Sequence, residues 1–432
     1  MSVQHIVIGL GSNLGNPIEN LRGAIRELRN IAQVTKISNL YESDAQLKAE
    51  SPHNWNQSYL NACCLLQSVS LTPNDLLKKV KEIEERFGKR SGEIWSPRHL
   101  DLDILYWQQD KVPLFWDTDD LKIPHRFVTE RPFALMPLLE VFPEAKLEKP
   151  EWLLEGKRKP YNTQISQNFF WPRLMGIINL TPDSFSDGDE NLNIDSVSEQ
   201  IESLLDQGAE ILDFGAQSTR PGAIQLSAEQ EWQRLHRFIP TIESAKKTRN
   251  FQISLDTFRP FVAENFLQKI PWDYLNDVTG LTDSQMIETI KRTDKKAIVM
   301  HSLGVPPTKE IHLDSSKNPI HELRDWWKVR QRNLLDLGLN DSQLIFDPGI
   351  GFGKTKAQSF FILQNLEQFY PIKNEILIGH SRKSFLSLLT DNSAKERDPE
   401  TALVTKDLNQ AYVHYLRLHH IASQKNALRG GQ

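Results

Sequence analysis

Leu174-Met175-Gly176-Ile177-Ile178-Asn179-Leu180 is an apolar run of strand length, and it opens the part of the sequence that decides the fold. Seven similar runs follow it with helical stretches between them, which is the βα alternation of a parallel fold. The eight runs cover residues 174–180, 209–214, 251–255, 274–275, 297–300, 343–346, 375–378 and 413–418. Since about 260 residues is the usual size of eight βα units, the sequence predicts an α/β TIM (β/α)8 barrel over residues 172–432.

Polar residues follow nearly every one of these runs. They are Asn179, Asp213, Asp256, Asn276, His301, Asp347, Ser381-Arg382-Lys383, and Arg417 with His419. Taken singly, an Asp or Asn after a strand is at least as often a turn former or a helix N-cap as a functional group. Because the carboxyl ends of the strands in a TIM barrel converge on one face, eight such ends together predict a site there.

The first part of the chain has a different pattern. Strands around residues 5–9, 34–42, 59–66 and 100–107 mix with helices over 18–30 and 73–87, and this mixture predicts an α+β (ferredoxin-like) fold. A single core seldom exceeds about 250–300 residues, whereas the chain has 432. We therefore expect two domains, at residues 1–160 and 172–432, joined by a linker at 161–171. A short helix is expected at 152–154, just before that linker.

The composition excludes several classes of protein. Hydrophobic residues make up 39% of the chain and charged residues 25%, which is ordinary globular usage. A net charge of -5 argues against a general nucleic-acid binder. Apolar runs are too short for a membrane span, and the N-terminus resembles neither a signal nor a transit peptide. Cys63 and Cys64 are adjacent in an apolar stretch, so we predict that both are buried and inert. Together these features predict a cytoplasmic enzyme.

Two carboxylates stand in Leu100-Asp101-Leu102-Asp103-Ile104. On a strand, side chains alternate between faces, so Asp101 and Asp103 share one side about 7 Å apart. This spacing suits Mg²⁺ ions that bridge phosphates, although a solvated acidic face would look the same. Basic residues that could bind phosphate lie on both sides of the pair in sequence: Lys89, Arg90, Arg98, His125 and Arg131. Carboxylates for a metal ion together with basic groups for phosphate favour a role in phosphoryl transfer. Dinucleotide binding at Gly9-Leu10-Gly11 is disfavoured, because the glycine spacing is one residue off.

At this point the chain resembles 6-hydroxymethyl-7,8-dihydropterin pyrophosphokinase. The matching stretches are Gly11-Ser12-Asn13-Leu14, Tyr59-Leu60-Asn61-Ala62, Trp95-Ser96-Pro97-Arg98-His99-Leu100-Asp101-Leu102-Asp103, and Pro124-His125 with Arg131-Pro132-Phe133. The resemblance implies that Arg98, Asp101 and Asp103 are catalytic. Asp101 and Asp103 would hold two Mg²⁺ between ATP and the pterin, with Arg98, His125 and Arg131 on the triphosphate. It also implies that Asn61 hydrogen-bonds the pterin between Tyr59 and Phe133. The family's catalytic loop arginine corresponds to Lys89 or Arg90, so both are candidates for ATP binding.

Four glycine-rich loops follow strands of the predicted barrel. They lie within residues 175–188, 215–222, 347–354 and 379–384. Such loops bring backbone close to ligands, and four on one face favour a binding site over simple turns. The segment Gly349 to Lys354 partly fits a P-loop, but Pro348 stands where the first glycine of that motif belongs.

These four segments resemble dihydropteroate synthase, a family that joins dihydropterin pyrophosphate to p-aminobenzoate and releases pyrophosphate. The resemblance covers most of residues 172–423. It implies that the pterin is surrounded by Asp213, Asp256, Asn276, Asp347 and Lys383, of which Asp256 and Lys383 are catalytic. It implies that the pyrophosphate is held, with one Mg²⁺ at Asn179, by Asn179, Arg417 and His419. The p-aminobenzoate side would be formed by Thr219, Arg220, Pro221, Phe352 and Ser384.

The combined expectation is a bifunctional transferase of folate biosynthesis, in which the product of the first domain is the substrate of the second. Its partners would be ATP, hydroxymethyldihydropterin and p-aminobenzoate, without nucleic acid or membrane, and a homodimer through the barrel is one candidate assembly. In one alternative, one half is inactive and serves as a binding or assembly module. Changes near Lys89 and a polar stretch over residues 401–415 support it. A corrinoid methyltransferase-like barrel is disfavoured by Ser381-Arg382-Lys383 and by Ser218-Thr219-Arg220.

Overall fold

The computed structural model describes residues 3–68, 70–88, 96–154, 160–181, 194–219, 223–308 and 310–429. The chain divides into two compact units, Met1–Trp171 and Pro172–Gln432. No helix among the described residues is both long enough and apolar enough to cross a membrane.

The first unit is an α+β domain, as predicted. Its strands are β1 (Gln4–Ser12), β2 (Gln33–Ile37), β3 (Tyr41–Ser43), β4 (Tyr59–Ser68), β5 (Asp101–Gln109), β6 (Val112–Pro113), β7 (Trp116–Asp117), β8 (Lys122–Ile123) and β9 (Gln164–Ile165). Its helices are α1 (Pro17–Ile31), α2 (Pro73–Phe87), α3 (Pro132–Val141) and α4 (Glu151–Leu154). The main sheet has the order β6-β5-β1-β4-β3-β9, with β2 also paired to β4, and β7 pairs with β8 separately. The central strand β1 runs antiparallel to both β4 and β5.

The helices of this unit begin where the sequence supplies caps. Asn16 and Thr72 accept hydrogen bonds from the backbone N–H groups of Glu19 and Asp75, and a proline opens each helix. One buried cluster packs β1, β4 and β5 against α3 through Val7, Cys63, Leu65, Leu105, Tyr106, Val128, Leu138, Val141 and Phe142. Both cysteines are buried and free, as predicted.

Three features of this unit differ from our expectations. The single strand expected at 34–42 is two strands, β2 and β3, and between them Ser38 accepts a hydrogen bond from the backbone of Cys63. Helix α3 has no amphipathic pattern and contains Pro137, so periodicity did not reveal it. The segment expected as a linker, 161–171, instead belongs to the first unit, because Gln164–Ile165 pairs with β3 and Arg22 donates to the carbonyls of Phe170 and Trp171.

The second unit is a closed barrel of eight parallel strands, which confirms the predicted α/β TIM fold. The strands are β10 (Arg173–Asn179), β11 (Ile211–Gly215), β12 (Gln252–Asp256), β13 (Tyr274–Asp277), β14 (Lys296–Met300), β15 (Leu344–Asp347), β16 (Glu375–Ile378) and β17 (Tyr415–Leu418). Pairing of β17 with β10 closes the ring, with Tyr415 opposite Arg173. Each strand coincides with one of the eight apolar runs.

Helices of the second unit follow the strands around the barrel. They are α5 (Ile194–Asp206), α6 (Ala228–His236), α7 (Ile239–Thr248), α8 (Pro260–Leu267), α9 (Ser284–Thr293), α10 (Pro319–Asp336), α11 (Lys356–Gln364), α12 (Asp398–Asp407) and α13 (Ala422–Leu428). The first unit also has short 3-10 helices at His53–Trp55 and Pro160–Asn162, and the second unit has them at Asp341–Gln343, Leu366–Phe369, Ser384–Leu388, Ala394–Glu396 and Gln410–Tyr412. The barrel interior is filled by Met175, Ile211, Tyr274, Ile298, Ile345, Leu377 and Tyr415. The barrel is therefore a packed core, and polar side chains gather beyond the ends of its strands.

Candidate active sites

The carboxylate pair of the first unit lies at the start of β5. Asp101 and Asp103 are both partly exposed, whereas Leu102 and Ile104 between and after them are buried, as strand alternation predicts. Nη1 of Arg98 donates to Oδ1 of Asp101 at 2.6 Å. Burial, with the negative charge of Asp101, raises the pKa of Asp103 to about 7. Two acids forced together in this way form a site that attracts cations.

Sequence reasoning missed Glu84, which supports this pair from α2. Its buried carboxylate accepts hydrogen bonds from the backbone N–H of Leu102 at 2.7 Å and from Nζ of Lys81 at 2.9 Å. It therefore holds the strand segment between the two acids. The signal was available, since Glu84 lies on the same helix face as the buried residues Leu76 and Val80, a position that normally takes an apolar side chain.

The predicted pterin-binding residues of this unit lie beside the carboxylates. Gly11 on β1 stands opposite Asn61 on β4 and opposite Asp101 on β5, so the sheet register brings all three together. Asn61 is buried, and its Nδ2 donates to Oγ of Ser43 at 2.9 Å. Tyr59 is partly buried and lies within electrostatic range of Arg98 and Asp101.

The remaining predicted residues approach from the segment after β8. Arg131 lies within electrostatic range of both acids and stacks its guanidinium on Phe127, 4.7 Å from the ring centroid. Burial and the charges of Arg131 and Arg126 lower the pKa of His125 to about 4, so its imidazole is neutral at pH 7. Phe133 contacts Tyr161 edge-on, with ring centroids 5.5 Å apart. Lys89 and Arg90 lie outside the described residues.

At the mouth of the barrel, three of the predicted residues form one ion-pair network. Arg417 on β17 donates from Nε to Oδ2 of Asp213 on β11 at 2.5 Å, and from Nη2 to Oδ2 of Asp256 on β12 at 2.7 Å. Asn276 on β13 also donates to Asp213, at 3.3 Å. Arg417, which we expected on the pyrophosphate side, thus also borders two carboxylates expected around the pterin.

Two buried acceptors in this network remain open. Oδ1 of Asp213 and Oδ1 of Asn276 are buried and accept no hydrogen bond from the described residues. An unsatisfied buried carboxylate oxygen costs free energy unless a donor reaches it. The mouth of the barrel is therefore suited to a ligand with several N–H groups on one edge.

Asp347, Lys383 and Phe352 complete the mouth from β15 and β16. Oδ1 of buried Asp347 accepts a hydrogen bond from the backbone N–H of Gly349 at 2.7 Å. Burial raises the pKa of Asp347, although that hydrogen bond and the charge of Lys383 act against it. Nζ of Lys383 lies 4.4 Å from the ring centroid of Phe352, so a cation and an aromatic face stand together.

Four other predicted residues of the barrel follow strands at their carboxyl ends. Asn179 ends β10 and is partly buried, and Nδ1 of His419 is 3.1 Å from Oγ of Ser381. Thr219 is partly buried in the segment after β11, and Ser384 is exposed at the start of a 3-10 helix. Arg220 and Pro221 lie outside the described residues.

One lysine was noticed in the sequence only as part of a rejected P-loop. Lys354 is buried, and its Nζ contacts Nδ1 of His301 at 2.9 Å and the carbonyl of Phe352 at 2.8 Å. The structure thus joins two residues to which the sequence assigned no defined role.

The two units match two known families. Residues 7–143 match the family described as 7,8-dihydro-6-hydroxymethylpterin-pyrophosphokinase, and residues 175–419 match the family described as pterin binding enzyme. The barrel is similar to a dihydropteroate synthase from Anaplasma phagocytophilum with bound 6-hydroxymethylpterin-monophosphate, at 29% identity and a TM-score of 0.54, covering 60% of this chain and 97% of that one. It is also similar to a Xanthomonas albilineans dihydropteroate synthase with 4-aminobenzoic acid, at 30% identity and a TM-score of 0.53, covering 60% and 90%.

Two relatives match nearly the whole length of the chain. A folate synthesis bifunctional protein of Chlamydia caviae is 35% identical over 99% of this chain and 97% of its own. One from Arabidopsis thaliana is 31% identical over 99% of this chain and 95% of its own. The chain therefore belongs to the family of bifunctional folate synthesis enzymes, transferases that combine a hydroxymethyldihydropterin pyrophosphokinase domain with a dihydropteroate synthase barrel.

Proposed function

We propose that the two sites catalyse consecutive reactions. The first unit pyrophosphorylates 6-hydroxymethyl-7,8-dihydropterin at the expense of ATP. The second condenses that product with p-aminobenzoate to give 7,8-dihydropteroate and pyrophosphate. The observation that carries the assignment is the pair of open acceptors, Asp213 Oδ1 and Asn276 Oδ1, at a barrel mouth lined by cations.

In the first unit, Asp101 and Asp103 are the proposed ligands of two Mg²⁺ ions. Among the described residues, no group of three His, Cys, Asp or Glu side chains is placed to hold a metal ion. A pair of carboxylates nevertheless fits Mg²⁺, which takes one or two carboxylates and completes its shell with phosphate oxygens and water. When bound, the ions neutralise charge on the triphosphate. The raised pKa of Asp103 fits the same assignment, because burial and then the negative charge of Asp101 both disfavour a second carboxylate there unless a cation is present.

The substrates of the first unit are assigned to the surrounding side chains. Arg98, His125 and Arg131 bind the triphosphate, together with Lys89 and Arg90, and neutral His125 contributes as a hydrogen-bond donor. Asn61 binds the edge of the pterin, and Tyr59 and Phe133 lie against its faces. The pterin hydroxyl oxygen then bonds to the β-phosphorus of ATP and releases its proton to solvent. The bond from that phosphorus to the α–β bridging oxygen breaks, and AMP leaves with that oxygen.

In the barrel, the pterin is assigned to Asp213, Asp256, Asn276, Asp347 and Lys383. Carboxylate and amide oxygens accept hydrogen bonds from the N–H edge of a pterin. Cleavage of the bond between the methylene carbon and the pyrophosphate oxygen leaves positive charge on the pterin, which the buried acids stabilise. The amine nitrogen of p-aminobenzoate then bonds to that methylene carbon and loses a proton.

The leaving group and the second substrate are assigned to the rim. Asn179, Arg417 and His419 hold the pyrophosphate with one Mg²⁺, whose other ligands are phosphate oxygens and water. Thr219, Arg220, Pro221, Phe352 and Ser384 form the p-aminobenzoate side. The ligands named with the Anaplasma and Xanthomonas enzymes, a pterin monophosphate and 4-aminobenzoic acid, support this division.

We also propose a cytoplasmic protein without a nucleic-acid partner. The net charge of -5 favours small anions, held by local cations, over nucleic acid. Exposed Leu403 on α12 is compatible with a homodimer through the barrel.

Paired substitutions test the two sites separately. We expect Asp101→Ala to abolish AMP release while dihydropteroate formation from supplied pterin pyrophosphate stays unchanged. Lys383→Ala is expected to do the reverse. Exposed Asp119→Ala and Lys406→Ala serve as matched charge controls. If one activity is absent from the unmodified chain, that half is a binding or assembly module; loss of both activities in either variant would contradict independent sites.

A further inference from the structure

Lys354 is a buried cation that the proposed chemistry does not use. It ends the loop of residues 349–354 between β15 and α11, and only 7% of its surface is exposed. Its Nζ lies 2.9 Å from Nδ1 of His301, 2.8 Å from the carbonyl oxygen of Phe352 and 3.5 Å from that of His301. Buried lysines are rare and need such partners, so this one has a structural or functional task.

His301 is prepared to accept this contact. It follows β14, is 3% exposed, and its ring meets the edge of Trp326 with centroids 4.9 Å apart. Burial and the charge of Lys354 lower the pKa of His301 to about 3, so the imidazole is neutral at pH 7. A neutral ring that accepts at Nδ1 carries its proton on Nε2. The backbone N–H of His301 also donates to the backbone carbonyl of Asp347 at 2.9 Å, so both the backbone and the ring of this histidine are held by hydrogen bonds.

The loop that Lys354 closes has little stiffness of its own. Gly349, Gly351 and Gly353 adopt positive φ of 66°, 81° and 62°, a region that glycine enters freely. The loop also lies directly on residues 301–303: a Cβ on Gly349 would come within 2.0 Å of the His301 carbonyl, and one on Gly353 within 2.7 Å of Leu303. Contacts from Lys354 therefore join a glycine-rich loop to the end of β14.

Phe352 is the residue that this contact positions. Nζ of Lys354 donates to the carbonyl oxygen of Phe352. The centroid of the Phe352 ring lies 4.4 Å from Nζ of Lys383. Burial lowers the pKa of Lys354 to about 7, with Asp347 opposing and Lys383 assisting that shift. A neutral amine still has two N–H groups for the two shorter contacts, so the contact persists in both protonation states.

We propose that Lys354, bound to His301, is a positioning residue that fixes the loop of residues 349–354 and thereby sets the affinity of the barrel for p-aminobenzoate. This inference rests on the proposed function, in which Phe352 belongs to the p-aminobenzoate side. Lys354 touches no substrate and acts through Phe352. Its effect should therefore appear in one Michaelis constant and leave the other unchanged.

The test is steady-state kinetics of Lys354→Met in the full chain. We expect the KM for p-aminobenzoate to rise roughly tenfold to a hundredfold, the size of a lost charged hydrogen bond. The KM for pterin pyrophosphate and the kcat at saturation should change less than about twofold. The pyrophosphokinase activity of the same chain reports the concentration of folded protein. Equal rises in both Michaelis constants, or an unchanged KM for p-aminobenzoate, would overturn the proposal.

Substitutions of His301 provide the matched pair, and they carry the test if Lys354→Met does not fold. His301→Asn keeps an acceptor near the Nδ1 position and should retain most of the affinity, whereas His301→Leu should match Lys354→Met. The double variant should be no worse than either single one, because both remove the same contact. Additive effects would contradict the inference. Phe352→Ala distinguishes failure of the proposed function from failure of this inference. If Phe352→Ala leaves the KM for p-aminobenzoate unchanged, the proposed role of Phe352 fails. If Phe352→Ala raises that KM while Lys354→Met does not, only the proposed role of Lys354 fails.

Discussion

At the residue scale, the barrel site depends on carboxylates kept out of water. Burial raises the pKa of Asp256 to about 7; Arg417 opposes this shift and the neighbouring charge of Asp213 adds to it. Burial likewise raises the pKa of Asp347. Acids in this state are protonated more readily than free Asp, yet the proposed stabilisation of a pterin cation needs them ionised.

The pH dependence of the synthase activity follows from Asp256. Because its pKa is raised, the carboxyl is protonated below about 7, and kcat/KM for the pterin substrate should fall as the pH falls through that value. Arg417→Met removes the opposing charge, so the midpoint should move to higher pH even though the activity itself also drops. The midpoint of the pH profile is the measurement. The control is Arg249→Met, a partly exposed arginine that precedes β12 at the end of the strand away from Asp256. A midpoint that does not move in Arg417→Met would contradict the assignment.

At the scale of single elements, α12 explains a polar stretch that the sequence left without a cause. Arg382 adopts a φ of 57° and forms two 2.7 Å hydrogen bonds to Asp398 at the start of this helix, and its backbone N–H donates to Thr401. One turn further along, Thr405 contacts His380 at 2.8 Å. The polar residues of α12 thus hold the loop that carries Lys383, so their polarity does not argue for a barrel without activity.

Asp398→Ala tests this support. Loss of a bidentate partner frees Arg382 and loosens the backbone next to Lys383, so we expect synthase kcat/KM to fall about tenfold or more. Asp398→Asn retains one acceptor and should lose less. The pyrophosphokinase activity of the same variants should stay constant, since Asp398 lies in the other unit. Unchanged synthase kinetics in Asp398→Ala would show that the ion pair does not position the loop.

At the scale of the whole molecule, the boundary between the units lies after Trp171 rather than near residue 160. Arg22 on α1 is buried and donates to the carbonyl oxygens of Phe170 at 2.8 Å and Trp171 at 3.0 Å. Strand β9 adds to the edge of the first sheet beside β3. The segment that composition suggested as a linker is therefore an integral part of the first unit.

Two fragments test this boundary. Fragment 1–171 should unfold cooperatively, whereas fragment 1–160 should be less stable by roughly 3 kcal/mol, because Arg22 loses two carbonyl acceptors and the buried side chains of Phe170 and Trp171 are removed. The measurement is denaturant unfolding, with pyrophosphokinase activity as a second signal. Arg22→Met is the matched control: it should destabilise 1–171 and add little to the deficit of 1–160. Equal stabilities of the two fragments would show that residues 161–171 are dispensable.

Prediction succeeded where the signal was local. The limits of α2 agree with the predicted helix at 73–87, and each barrel strand coincides with an apolar run, because these patterns depend on spacing within one element. Helix α3 was missed because it is apolar on all sides and includes Pro137. Glu84 and Lys354 were missed as site residues because their partners, Leu102 and His301, come from other elements.

The sequence by itself determined the kinds of elements, their order, the two families and the residues available for chemistry. Only the tertiary structure decided which of those residues meet. Arg417 reaches Asp213 and Asp256 across 204 and 161 positions of chain, a contact that exists only when the last barrel strand pairs with the first. Periodicity is a property of neighbouring residues, whereas closure of a sheet and burial of a charge depend on the whole chain, and these set the geometry of both sites.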